Sequence, residues 1–298
     1  MNNKTFYKKS SADIAFVIVN TLVLALICVI TLYPIINTTA VSFNEAVDTL
    51  TGGIYLWPRR WTLENYKTVL RNDGLMTGLR NSVLRTVIAT VSHTFVTALL
   101  AYVLSRKEFY FSRQLSLVYV VTMYVSAGTI PTLLLYKDLG LTNSFWVYIV
   151  PGAVSAFNMI VIRTFMNGLP DGFVESAQVD GAGHFRIFIQ IILPLCKPVL
   201  ATIALFIAVG HWNAWFDTMI YNAQSPNLTT LQFELMKLLS SVSQQSGDPG
   251  AMKHAASMVT PASVRAAATV LTALPIVALY PFLQRYFISG LTVGGVKE

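Results

Sequence analysis

Five side chains able to hold a polar ligand crowd one stretch of otherwise apolar sequence: His211, Trp212, Asn213, Trp215 and Asp217. Polar groups are costly inside lipid and are kept there mainly for function. Asn213 and Asp217 lie four residues apart and share a face if the stretch is one helix. Trp212 or Trp215 offers a flat apolar platform beside them. Amide, carboxylate and indole together suit a polyol such as a sugar, and Asn158 is an isolated further candidate. The same groups also suit hydrogen bonding between helices of a bundle, with the indoles near a membrane interface. The residues alone leave both readings open.

Hydrolytic and metal chemistry find no comparable cluster. His93, His184, His211 and His254 are scattered, without Cys or carboxylate partners at ligand spacing. Neither G-x-S-x-G nor H-E-x-x-H occurs, and Ser126 has only a distant histidine for a base. No catalytic residue and no metal site are expected. A G-x-x-x-x-G-K-[S/T] phosphate loop is also missing, so the chain does not hydrolyse ATP by that route. Cys28 and Cys196 lie in or beside apolar stretches and are expected to be free.

The elements that must position these residues belong in a bilayer. Of 298 residues, 54% are hydrophobic and 12% charged, against about 25% charged in a soluble domain. The net charge of +7 fits Lys and Arg collecting in inner loops better than nucleic-acid binding. A span needs about 20 mostly apolar residues, and six stretches qualify: 15–36, 79–104, 115–136, 145–165, 199–221 and 266–287. Arg80 and Arg85 mark the outer end of the second, Pro151-Gly152 a kink in the fourth. Lys4, Lys8 and Lys9 precede an apolar run too long for a signal peptide, so the first span is retained and entered from inside. Arg106, Lys107 and Arg113 then lie inside, as do Arg163, Arg186 and Lys197, which predicts both ends in the cytoplasm.

The two outer segments, 37–78 and 222–263, read as ordered. Tyr55, Trp57, Trp61 and Tyr66 are too aromatic for a disordered spacer. Residues 227–242 form an amphipathic helix with Leu228, Leu231, Leu235, Leu238 and Leu239 on one side, and 243–250 form a turn-rich tip. The chain has no internal repeat, which argues against a secondary transporter built from repeated halves. Such a carrier also needs coupling carboxylates at mid-membrane, and only Asp217 approaches that position.

Between spans four and five, residues 168–196 face the cytoplasm. Pro170 and Asp171 suit a helix start, Glu175 its first turns, and Gly181 a reversal with positive φ. A second short helix places Phe185, Phe188, Ile189 and Ile192 on one apolar face, and Pro194 ends it. This pattern resembles the Glu-Ala-Ala loop of bacterial binding-protein-dependent ABC importers: Glu-Ala-Ala, three residues, Gly, about nine residues, Ile-x-Leu-Pro. It matches at Glu175, Ala177, Gly181, Ile191, Leu193 and Pro194, with Ser176 in place of an alanine. Asp180-Gly181-Ala182 and Pro194 to Pro198 look like the carbohydrate branch, similar to the maltose-type inner-membrane permease subunits. The likeness extends to Asn81-Ser82, Trp212-Asn213 and the tail Gln284-Arg285-Tyr286-Phe287 with Leu291, Thr292 and Gly294.

The resemblance implies an all-α integral membrane protein of six transmembrane helices in the bacterial plasma membrane, both ends inside. Residues 1–14 are then an inner tail, 15–288 the permease domain with its coupling loop at 168–196, and 289–298 a second inner tail. It implies uptake of a sugar or oligosaccharide by alternating access, not an enzyme. The chain binds no cofactor itself; ATP and Mg sit on two cytoplasmic ATPase subunits. The other implied partners are a second homologous permease subunit, usually a different chain, an extracytoplasmic solute-binding protein, and the lipid bilayer, with no nucleic acid. Glu175 pairs with a basic residue of the ATPase, Ser176 and Ala177 permit close approach, and Gly181 sets the turn. Asp180, Ala182 and Pro194 complete the motif. Gln244, Gln245, Ser246 and Gly247 become a tip that reaches into the binding protein, or else an exposed flexible loop.

Overall fold

The computed structural model describes residues 11–245 and 260–290, with side chains over 11–240 and 260–278. In chain order its helices are α1 (Ser11–Ser42), α2 (Ala46–Leu50), α3 (Glu64–Leu70), α4 (Asp73–Ser105), α5 (Ser112–Thr122), α6 (Thr129–Asp138), α7 (Ala156–Asn167) and α8 (Gly172–Val179), then α9 (His184–Leu195), α10 (Lys197–Asn213), α11 (Phe216–Tyr221), α12 (Leu231–Gln245) and α13 (Pro261–Gly290). Among the described residues the only strand-like pairing is an isolated bridge between Asn44 and Trp61. The chain divides at Val69/Leu70, Ser240/Ser241 and Leu271/Thr272 into two compact units.

In the first unit α1 presents its most apolar stretch wholly exposed, a surface suited to lipid rather than water. The segment after it is ordered, as its aromatics predict. Buried Asn65 donates from Nδ2 to the carbonyls of Ser42 and Asn44, both at 2.9 Å. Asn44 donates to Asp48 and Thr49 and accepts from the Arg60 amide at 2.9 Å. Two asparagines thus satisfy backbone groups that no helix or strand pairs, as buried polar groups require. The Asn44 hydrogen bond, helped by Arg59, holds the Asp48 carboxyl below its usual range. Trp57 and Trp61 meet edge to face at 5.5 Å and remain 71% and 60% exposed. Thr260 caps α13, its hydroxyl accepting from the Ser263 amide.

The second unit is built around α4, which packs against α10 and α7. Buried Ala89, Ala98 and Ala101 allow the helix axes close approach. At Gly78 a Cβ would lie 2.9 Å from the backbone of Thr230 and Leu231, so only glycine admits that crossing. The buried face also carries Asn81, Ser82, Arg85 and His93; Asn81, Arg85 and His93 are four and eight residues apart, and Ser82 lies three before Arg85, as one helical face requires.

Three of the expected spans are interrupted. The third is two helices, α5 and α6, separated by residues 123–128, where Gly128 takes a φ of +83°. The fourth begins as a 3-10 turn over Phe145–Tyr148, loses helical structure around Pro151-Gly152, and resumes as α7. In the fifth, α10 stops at Asn213 because Ala214 is extended (ψ 127°), and α11 starts after Trp215. Irregular backbone within a bilayer is tolerated only where other groups satisfy it, and for the fourth and fifth stretches α4 supplies such groups. His93 Nε2 donates to the Ile149 carbonyl at 2.8 Å and Arg85 to the Ala214 carbonyl at 3.4 Å. Asn81 donates to the carbonyls of Asn227 and Thr229, both at 2.8 Å, and the Ser82 hydroxyl accepts from the Leu231 amide at 2.9 Å. By length and composition α1, α4 and α13 can each cross a membrane, and α9 with α10, bent by 84°, counts as a fourth if taken as one span.

Candidate functional site

The 168–196 segment folds as two short helices around a glycine reversal. Asp171 and Pro170 start α8, with the Val174 and Glu175 amides bonded to the Asp171 carbonyl. At its end Gly181 has a φ of +80°. The Ala182 amide reaches back to the Ala177 carbonyl and the Gly181 amide to that of Gln178, both at 2.9 Å. This paired closure is a Schellman C-cap, so the positive φ expected at Gly181 is observed. A Cβ there meets nothing within 4 Å; the demand for glycine comes from the backbone angle, not from crowding.

One side of α8 faces inward. Val174 and Ala177 are buried in a core shared with Ala98, Ala101 and Leu104 of α4, Met159, Ile162 and Met166 of α7, and Ile187, Phe188 and Ile192 of α9. The opposite side is open: Glu175, Ser176, Asp180 and Gly181 are exposed, beside Phe173 at 47% and Val179 at 88% exposure. Ala182 is half-buried and Pro194 exposed. The start of the segment is tied down by Lys107, whose ammonium lies 2.7 Å from the Asp171 carboxylate.

The apolar face expected on α9 is corrected. Phe188 and Ile192 are buried with Ile187, whereas Phe185 and Ile189 are 64% and 37% exposed. One turn of π-helix over Phe188–Ile192 shifts the register. Pro194 supplies the cause. It lacks an amide and its ring collides with the carbonyl four residues back, which a widened turn relieves. The helix also runs one residue beyond Pro194, to Leu195, before the bend into α10.

The span-five residues separate. Asn213 and Asp217 sit on different helices, because the break at Ala214 and Trp215 ends the i, i+4 relation expected of them. Asp217 forms an ion pair with Arg85, both guanidinium Nη atoms meeting its carboxylate, one at 3.3 Å. Arg85 is 1% exposed, stacks 4.3 Å from the centre of the Tyr148 ring and lies 3.5 Å from His211 Nδ1. His211 in turn meets His93 at 5.0 Å between rings. Tyr148 donates to the Leu228 carbonyl at 2.6 Å. Trp212 is buried and donates from Nε1 to the Thr272 carbonyl at 3.0 Å. Asn213 is exposed and accepts from Gln232 at 3.2 Å, with Trp215 half-buried nearby in sequence. Asn158 is buried in the first turn of α7, whose amide end the Ser155 hydroxyl caps. The sequence reading placed Arg85 with Arg80 at the outer end of span two and did not give it a partner. Its signal was a cation five residues further into span two than Arg80, set against a single carboxylate in span five, since charges inside a membrane protein pair with one another. Gln244 and Gln245 end α12, while Ser246 and Gly247 lie outside the described residues.

Residues 74–293 match the family model described as the binding-protein-dependent transport system inner membrane component. The chain belongs to that family. The family match takes in the α4 spine, the 168–196 segment and α13. Among curated relatives, the polygalacturonan/rhamnogalacturonan transport system permease protein YtcP of Bacillus subtilis (strain 168) is 35% identical over 93% of this chain and 95% of its own. Protein LplC of the same organism is 35% identical over 97% of both chains. A solved chain from a bacterial ABC transporter involved in the import of the acidic polysaccharide alginate superposes with a TM-score of 0.86 at 30% identity, covering 95% of this chain and 99% of that one. As an inner-membrane component of a binding-protein-dependent system, the chain is a transport subunit and not an enzyme.

Proposed function

We propose that this chain is one permease half of an ATP-driven importer and that α8 is its coupling helix, seated in a cleft of a separate ATPase subunit. The observation that carries this reading is the division of α8. Val174 and Ala177 are locked into the bundle core while Glu175, Ser176, Asp180 and Val179 stay open. A helix so divided transmits a push on its outer face directly to α4 and α7. Glu175 pairs with a basic residue of the ATPase, and Ser176 lets the two backbones approach.

The remaining assignments follow from the same reading. The chain crosses the membrane six times, with the third, fourth and fifth crossings interrupted and both ends in the cytoplasm. ATP and Mg belong to two ATPase subunits, and a second, different permease chain completes the pore. The aromatic outer segment around Trp57 and Trp61 and the end of α12 at Gln244 and Gln245 meet the extracytoplasmic binding protein. One relative is named for polygalacturonan and rhamnogalacturonan and a solved neighbour for alginate, so the cargo class proposed here is a uronate-containing oligosaccharide. Of the span-five cluster, exposed Asn213 beside Trp215 keeps the chemistry for such a cargo, whereas Trp212, His211 and Asp217 are engaged within the bundle.

The experiment pairs two substitutions. Glu175→Lys should abolish co-purification of the ATPase, with membrane insertion intact. Gly181→Leu forces a β-carbon into the left-handed region at a cost of about 1–2 kcal/mol, and uptake should be lost; Gly181→Asn, which tolerates that region, should retain most of it. Normal uptake by Gly181→Leu together with normal ATPase retention by Glu175→Lys would end the proposal.

A further inference from the structure

A cleft of about 640 Å³ opens between the 105–113 loop, the start of α5, the end of α7 and the segment leading to α8. Its wall carries Arg106, Lys107, Arg113 and Arg163 against a single carboxylate, Asp171; Glu108 of the same loop does not line it. Lys107 is matched to Asp171, which leaves three cations with no ion-paired carboxylate among the described residues. Arg106 lies over the Tyr102 ring at 5.0 Å, and its guanidinium donates to the Ser105 hydroxyl. Arg163 donates to the hydroxyls of Ser116 and Ser112 at 2.6 and 3.2 Å, and its Nε is buried with no acceptor. Loop cations that merely obey the charge rule for inner loops project into water. Here they converge on one concavity whose size is that of a small-molecule site.

The surroundings indicate what neutralises them. Tyr110 and Phe111, 81% and 55% exposed, flank the cleft with the amphipathic and aromatic character found at membrane interfaces. Directly after them rises α5, in which no residue is buried and Leu117, Val118 and Val121 are exposed. A soluble anion uses only the cations. A molecule with a phosphate at one end and alkyl chains at the other uses the cations, the aromatics and the bare helix together.

We propose that this cleft binds the headgroup phosphate of an anionic phospholipid of the inner leaflet, with its acyl chains along α5. The headgroup then shares Lys107 with Asp171, the residue from which α8 starts, and so places lipid charge next to the coupling helix. The inference rests on the functional reading above only for the side of the membrane that the cleft faces.

The test is native mass spectrometry of the full chain, alone and assembled with its ATPase, after exchange into bilayer discs of phosphatidylcholine with or without phosphatidylglycerol. Phosphatidylglycerol should stay bound and phosphatidylcholine should not. Arg113→Gln and Lys107→Gln should each weaken retention about fivefold, from about one kilocalorie per cation near an anionic surface. Glu108→Gln, which removes a negative charge near Lys107 from outside the cleft, should not weaken retention. Arg163→Gln is avoided because Arg163 also braces α5. Equal retention by wild type, Arg113→Gln and Lys107→Gln would overturn the proposal. Displacement of the lipid by inorganic phosphate alone would show a soluble-anion site. Loss of lipid on assembly, with Arg113→Gln weakening ATPase retention, would show an ATPase contact; either result also overturns it. Retention by Glu175→Lys equal to wild type would keep the lipid site even if the coupling role failed.

Discussion

The Arg85–Asp217 pair shows how a single residue's meaning depends on a partner far along the chain. Asp217 in isolation reads as a ligand for cargo; beside Arg85 it is half of an ion pair that also steadies the break after Asn213. Removing one member of a buried pair leaves an uncompensated charge and costs about 3–5 kcal/mol. Arg85→Met and Asp217→Leu should each lower the unfolding temperature of the purified chain strongly, and the double substitution should be milder than the sum of the two. Purely additive losses would mean that the two charges do not stabilise one another. Gly181 was legible beforehand because its role is local: a left-handed residue after a helix asks for glycine whatever surrounds it. Arg85 was not, because its role is set by a carboxylate that the fold, not the spacing, brings to it.

Among elements, composition reveals where apolar chain must go but not where a helix stops. The stretches later seen as α1, α4 and α13 are long and uniform, and the amphipathic pattern of α12 was visible in Leu231 and Leu235, both buried. The breaks at Pro151-Gly152 and Ala214 were hidden, since side chains of α4 take over backbone groups beside them; the break at Gly128 is an exposed turn at a left-handed glycine. The π turn before Pro194 was hidden in the same way, and with it the outward turn of Phe185. The Lys107–Asp171 bridge between two elements makes a pH prediction. The hydrogen bond from Lys107 lowers the Asp171 carboxyl, and the hydrogen bond to Asp171 raises the Lys107 ammonium. Asp171's contribution is present above its unfolded value and is lost as pH falls through the lowered one. Lys107's is present below its unfolded value and is lost as pH rises through the raised one. The tether therefore holds across the neutral range and fails at both extremes. Hydrogen-exchange protection of 171–180, corrected for the intrinsic pH dependence of exchange, should fall in acid and in Asp171→Asn at neutral pH, and high salt should narrow the difference because the pair is exposed. Exchange that ignores both would show that the bridge does not order α8.

For the whole molecule the decisive measurement is sidedness. Single cysteines at Glu108 and Asp180, in a chain whose Cys28 and Cys196 are replaced by serine and alanine, should react with an impermeant maleimide only from the cytoplasmic side. One at Thr51 should react only from outside. Labelling of 108 and 51 from the same side would remove the six-crossing arrangement and, with it, the inner position of α8.

The α4 helix links distant parts of the second unit. Near its start Gly78, Asn81 and Ser82 grip the chain at 227–231, and near its finish Ala98, Ala101 and Leu104 share a core with α8. At 1.5 Å per residue its 33 residues make a rod of about 50 Å. Pivoting such a rod by about 10° about its centre swings each tip through about 4 Å in opposite directions. On the proposed reading, an ATPase acting through α8 at one tip would turn α4 like a seesaw and displace the opposite tip, with whatever docks there, at the same time.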